Sequence, residues 1–240
     1  MPSSPVVALA PGVYRIPTTP ANLVNSIAFR DDDGQVTLVD CGLRRAPRHI
    51  VAALAAIGSD PSEVTRIVLT HAHEDHAGGL AGMRARTTAQ VAAHEREAPY
   101  LRQGRMPARD PQVRGGRLFT RLPGGGFAPT EVTEEFHDGD VLKVAGGLRV
   151  LHTPGHTPGH VSLLHEPTGV LVTGDAIFNV RRLRWPIAAL CTDFALTQQT
   201  ADRLGEVEYD VAAFTHGPEI RRDARETVRR FLREARRTRR

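Results

Sequence analysis

The chain has 240 residues, 40% of them apolar and 24% charged, with only two cysteines. That length and balance describe one large globular domain or two small ones, and they exclude a disordered, collagen-like or disulfide-framed chain. The net charge of +4 is uneven: residues 221–240 hold ten Arg against Asp223, Glu226 and Glu234, so the first 220 residues carry −3 and the basic character belongs to one terminal segment.

The N-terminal Met1-Pro2-Ser3-Ser4-Pro5 has no basic segment before its short apolar run, Val6 to Ala10, which is too short for a signal-peptide core or a membrane span. A cytoplasmic protein with no membrane partner is expected, with Cys41 and Cys191 as core thiols. Val6–Ile16 and Leu23–Phe29 alternate as strands do, and the turn Asp31-Asp32-Asp33-Gly34 leads into a third strand, Val36–Val39. Pro47 stands where a helix tolerates proline, and Ile50, Val51, Leu54 and Ile57 recur at helical spacing, predicting a helix over Ala46–Ile57. Arg66–Thr70 is a short buried-type strand that runs directly into His71.

Leu101–Thr130 is rich in Pro, Gly and Arg with little periodicity, and reads as an insertion or lid. Strands are then expected at Glu131–Phe136, Val141–Ala145, Leu148–His152, Val161–His165, Val170–Thr173 and Val211–Phe214, with helices over Phe194–Leu204 and from Pro218 to the Arg-rich end at 240. One α/β domain over residues 1–240 with two sheets accommodates this order.

The chemistry is concentrated in His71-Ala72-His73-Glu74-Asp75-His76, three imidazoles and a carboxylate directly after an apolar strand. Such residues at a strand end are what a divalent cation requires. Three further stretches follow predicted strands: His152-Thr153-Pro154-Gly155-His156-Thr157-Pro158-Gly159-His160, Thr173-Gly174-Asp175, and Thr215-His216-Gly217-Pro218. Loops at one end of a sheet converge although they are distant in sequence, and these supply enough ligands for two metals.

With H-x-H-x-D-H followed in order by His, Asp and His, and with Leu38-Val39-Asp40-Cys41-Gly42 upstream, the chain resembles the metallo-β-lactamase-fold hydrolase superfamily from about residue 20 to 220. The resemblance implies an αββα sandwich of two mixed β-sheets flanked by helices, with a dinuclear site at one sheet edge. It implies that His71, His73 and His156 hold one metal, that Asp75, His76 and His216 hold the other, and that Asp175 bridges them. His156 is preferred because it lies inside T-P-G-H-T-P-G; His152 and His160 then surround the site or lie on the surface, Asp40 supports it, and His49, His94, His137 and His165 are ordinary polar residues.

Two Zn²⁺, with iron or manganese as alternatives, would activate a bridging hydroxide, Asp75 would shuttle a proton and Asp175 would hold the metals together. A bridging Asp175 resembles the glyoxalase II, lactonase and RNA-processing branches more than the β-lactamases, and His73 in place of a glutamate disfavours the flavodiiron branch. About 24 residues follow His216, less than the glutathione-binding domain of glyoxalase II. The expected activity is cleavage of a small-molecule ester, thioester or lactone. Either 101–130 or 177–193, the latter with Arg181, Arg182, Arg184 and Trp185, would hold a substrate with an anionic and an apolar part. A mononuclear-iron persulfide dioxygenase and an RNA or phosphodiester nuclease are the alternatives, although no specific nucleic-acid partner is expected from an acidic body.

Overall fold

Strands buried on both faces dictate the layers. In the computed structural model, which describes residues 6–113 and 126–238, β1 (Val7–Ala10), β2 (Val13–Pro17), β3 (Asn25–Arg30), β4 (Val36–Val39), β5 (Val64–Leu69), β6 (Gln90–His94) and β7 (Glu134–Phe136) form one sheet in sequence order. Its first four strands are antiparallel, and β4 to β7 run parallel. β8 (Val141–Leu142), β9 (Leu148–His152), β10 (Val161–His165), β11 (Val170–Val172) and β14 (Val211–Ala213) form a second sheet in the order β14-β11-β10-β9-β8, and β12 (Phe178–Val180) pairs with β13 (Arg182–Arg184) as a separate hairpin.

Because successive strand residues face opposite ways, Ile27, Phe29 and Val68 of the first sheet meet Val161, Leu163 and Val172 of the second in a common core. Their neighbours point outward. Leu38, Ile67 and Leu69 pack on Ile50 and Leu54 of α1 (Pro47–Ala56) and on Leu80 and Met83 of α3 (Leu80–Arg84). On the other side Leu164, Leu171 and Ala212 pack under Val228 and Leu232 of the C-terminal helix, Ala224–Thr238. The result is the αββα sandwich. Among the described residues no helix is long and apolar enough to cross a membrane.

Several boundaries differ from expectation. Val6–Ile16 is two strands, because Pro11 and Gly12 turn the chain, with Gly12 at φ +70° and no room for a Cβ beside the Arg30 carbonyl. The short helices α2 (Glu74–Ala77) and α4 (Ala98–Gln103), together with α3, β6 and the β12–β13 hairpin, were not predicted. Each is too short for a periodicity to show. Leu101–Gln103 of the expected insertion belong to α4; residues 104–113 and 126–130 lack regular structure, and 114–125 lie outside the described residues. The helix expected over Phe194–Leu204 is α5 (Phe194–Thr200) followed by a 3₁₀ turn. The last helix, α6 (Ala224–Thr238), starts six residues after Pro218, because Ile220 first pairs with Ala212 and Asp223 turns at φ +48°.

Three of the six Arg residues of α6 are paired with carboxylates: Arg225 with Glu208, Arg233 with Glu226 and Arg236 with Asp202. Exposed pairs of this kind stabilise little, whereas burying Leu232 removes a whole side chain from water. Deleting residues 233–240 should therefore shift the thermal midpoint by less than about 3 °C. Leu232→Ala should cost about 2–5 kcal/mol in denaturant unfolding. The reverse ranking would mean that the charged tail, not the apolar stripe, anchors the helix.

Candidate metal centre

Every predicted ligand lies just past a strand of one of the two sheets, at a single edge. Parallel β4 and β5 end at Asp40 and His71; the β9–β10 turn carries His156; parallel β11 and β14 end at Asp175 and His216. α2 then brings Asp75 and His76 back toward the same point.

Three groups of potential ligand atoms result: His71 with His73 and His156, Asp75 with His76 and His216, and Asp175 with His71 and His76. The Asp175 carboxylate lies between the two triads. Its Oδ2 is 3.1 Å from His156 Nε2 and 3.8 Å from His71 Nε2, while its Oδ1 is 3.3 Å from His76 Nε2 and 3.2 Å from His216 Nε2. One oxygen thus faces each triad.

The residues fit divalent cations on three observations. The buried His71 Nε2 has no hydrogen-bond partner among the described residues. His156 Nε2 lies 3.0 Å from His73 Nδ1, and His76 Nε2 lies 3.3 Å from His216 Nε2, so lone pairs face one another. Donors about 2.0–2.1 Å from a tetrahedral zinc stand about 3.3–3.4 Å apart, near the 3.4 Å between His216 Nε2 and Asp75 Oδ2.

Hydrogen bonds fix which nitrogen each imidazole offers. Asp40 Oδ2 accepts from His76 Nδ1 at 2.7 Å and from the Thr70 hydroxyl at 2.7 Å, and that hydroxyl lies 3.0 Å from His71 Nδ1. Asp40 therefore orients His76 directly and His71 through Thr70. The Leu23 carbonyl holds His216 Nδ1 at 2.5 Å, and the Cys191 sulfur lies 3.4 Å from His156 Nδ1. Cys191 is thus more than a core thiol; burial pushes it up to about 12, so it remains protonated against the imidazole.

His160, with no ligand position, accepts the Asp175 backbone N–H at its Nε2 (2.7 Å) while its Nδ1 reaches the Thr153 carbonyl. Gly174 is required at this contact: its φ is +52°, and a Cβ would stand 2.5 Å from His160 Nε2. His152 stacks on His94 at 4.2 Å, outside the cluster, and His49, His137 and His165 also lie outside it.

Burial and neighbouring imidazoles hold His71 and His73 well below the ordinary histidine range. Burial would raise Asp175, but His216, His76, His156 and His71 hold it well below the carboxylate range. At His76 burial acts downward, yet Asp175, Asp75 and Asp40 outweigh it and raise the ring well above its usual value; His216 is raised mainly by Asp175 against the same burial. The field of this site favours positive charge beside Asp175.

Glu97 was not anticipated. Fully buried just before α4, it accepts the Ala72 N–H at Oε2 and the Gly159 N–H at Oε1, both at 2.7 Å. It thereby ties the loop of His71 and His73 to the loop of His156. Burial pushes its carboxyl up to about 7, against bonds from Thr157, Gly159 and Ala72 that pull it down. A glutamate after a short strand carries no sequence signal of such a role.

A sequence profile of the metallo-beta-lactamase superfamily matches residues 19–231. The chain is 33% identical over 132 residues to a hydroxyacylglutathione hydrolase of Rhodopseudomonas palustris (strain BisA53), an alignment that spans 55% of this chain and 40% of that protein. It is 30% identical over 186 residues to an N-acyl homoserine lactonase of Bacillus sp, spanning 72% of this chain and 64% of that one. The crystal structure of a metallo-beta-lactamase family protein from Thermus thermophilus superposes with TM-score 0.72 at 30% identity, covering 95% of this chain and 81% of that chain. Solved metallo-beta-lactamases such as SMB-1, at 19% identity and TM-score 0.73, cover 98% of this chain and 95% of theirs, and share the fold.

Glu97→Gln would turn an amide NH₂ toward one of two backbone donors. Zinc affinity should fall about 10–100-fold, the usual cost of losing a group that orients ligands, and the zinc-free protein should lose about 1–3 kcal/mol of stability from the unsatisfied buried donor. Competition with a chromophoric chelator measures the first, and unchanged affinity would remove Glu97 from the support of the site.

Proposed function

The chain belongs to the metallo-beta-lactamase superfamily, and from that premise we propose that it is a dinuclear zinc hydrolase of small-molecule thioesters, esters or lactones. The observation that carries this reading is Asp175, whose two oxygens face different ligand triads. When bound, such cations lower the pKa of water and polarise a carbonyl.

The protein's own residues supply the rest. Asp40, Thr70, Cys191 and the Leu23 carbonyl hold four imidazoles with their inner nitrogens directed at the site. His160 and the Thr215 hydroxyl hold Asp175, the latter donating to Oδ1 at 2.9 Å. Asp75, about a third exposed, is the carboxylate of the cluster most open to the cavity, and it can accept a proton and pass it to the departing thiol or alcohol. Hydrolysis adds water across the acyl C–S or C–O bond and yields an acid and a thiol or alcohol.

Support for the substrate class comes from the relatives, one a hydroxyacylglutathione hydrolase and one a lactonase by name. The purified protein should contain two zinc ions per chain. It should turn over a simple acyl thioester or lactone at least ~100-fold more efficiently than a cephalosporin, about 2.7 kcal/mol in transition-state binding. Asp175→Ala should lower both zinc content and turnover, the latter by at least ~100-fold. A single iron without zinc would instead favour the dioxygenase reading, and preference for an RNA phosphodiester the nuclease reading. Indifference to Asp175→Ala would overturn the bridging role.

A further inference from the structure

The cavity in front of the ligands, about 280 Å³, has more wall than bond hydrolysis needs. Leu23, Phe178, Val180, Ile187 and Leu190 form an apolar side, and Phe178 packs on the His216 ring with centroids 4.2 Å apart. Leu23 and Ile187 are 48% and 55% exposed, two of the four large apolar side chains left open to solvent among the described residues. Such exposure at a cavity mouth marks a surface kept for an apolar ligand. A larger cavity, about 660 Å³ around Arg15, Thr18 and His49, shares none of the ligand residues, and its Arg15 is already paired with Glu219.

One cation lines the smaller cavity: Arg184, exposed on β13. Its guanidinium has no hydrogen bond or ion pair among the described residues, unlike Arg203, Arg225, Arg233 and Arg236, which pair with carboxylates. The acids that share the cavity with it, Asp75 and Asp175, belong to the candidate metal centre. The next residue, Trp185, packs on Phe231 of α6 with centroids 4.9 Å apart, so the hairpin is braced from behind while Arg184 faces the cavity. Across the cluster, the charge of Arg109 reaches His73. Of the rim expected from sequence, Arg184 therefore lines the cavity, whereas Trp185 serves as its support.

Resting on the hydrolase reading above, we infer that the substrate combines an apolar acyl chain with a carboxylate remote from the bond that is cleaved, and that Arg184 is the specificity-determining residue that receives this carboxylate. A single planar guanidinium matches a carboxylate with two parallel N–H bonds. Dianionic phosphates are held by several cations or by a helix N-terminus.

The test uses zinc-loaded wild type, Arg184→Gln and Arg184→Lys with N-acetylcysteamine thioesters of adipate, which keeps one free carboxylate and is anionic, and of hexanoate, which is neutral. Wild type should favour the anionic thioester at least ~10-fold in kcat/KM, through KM, as expected for one charge-assisted hydrogen-bonded pair. Arg184→Gln should bring that ratio close to 1, and Arg184→Lys should restore part of it. No preference in wild type, or the same preference in Arg184→Gln, would overturn the inference. Calorimetric binding of adipate against hexanoate separates this inference from the hydrolase reading. A ~10-fold preference for the dicarboxylate that disappears in Arg184→Gln upholds the role of Arg184 even if neither thioester is cleaved. Its absence in wild type refutes that role even if both are cleaved.

Discussion

Imidazole lone pairs crowded around one carboxylate are the constraint on which this molecule is built. His71, His73, His76 and His156 are buried, with Asp175 among them and the ring nitrogens of His73 and His156 only 3.0 Å apart. Without compensating positive charge such an arrangement opposes folding, since buried polar groups lose water and gain no partner. The raised His76 and His216 express the same demand as a preference for protons, while the depressed Asp175 stays ionised beside them. Bound divalent cations would meet that demand without protonating any of these side chains.

Such a site persists only if the protein resists its collapse. Four strand ends and one short helix start at the same sheet edge, so the backbone positions are set by hydrogen bonding throughout two sheets. The side chains are then locked by a second set of groups. Asp40 acts on His76 and, through Thr70, on His71; His160 acts on the Asp175 backbone; Glu97 joins two ligand loops that are more than eighty residues apart in sequence. Each of these groups is buried and spends its hydrogen bonds on the site, an arrangement that favours one geometry at the expense of alternatives.

The side chains that gather at the site were readable in the sequence because metal coordination demands particular residue types at strand ends, and few other roles collect His71, His73, Asp75 and His76 in six positions. The sandwich was readable from alternation in the first strands and from short apolar runs bounded by turns in β10 and β11, whose residues are buried on both faces. What escaped was set by tertiary contact. Gln90–His94 has one polar and four small or polar-tipped residues and becomes a strand only because β5 and β7 lie on either side. Glu97 is indistinguishable by sequence from the exposed Glu95 two residues before it, and only the folded loops give it two donors.

The fold sorts the terminal arginines in a way that composition does not show. Of the ten Arg in the last twenty residues, Arg225, Arg233 and Arg236 lie against carboxylates, and the helix that carries them presents Val228 and Leu232 to the core. Phe231, on the same helix, packs against Trp185 beside the cavity hairpin. The helix is therefore connected to the metal cavity through an aromatic contact, not through its charge. Arg184, which composition would group with the others, is set apart by its place: a guanidinium without a carboxylate partner among the described residues, at the mouth of an apolar cavity whose own acids are committed to the metal centre. Position in the fold, rather than abundance in the sequence, decides which of these charges is available to a ligand.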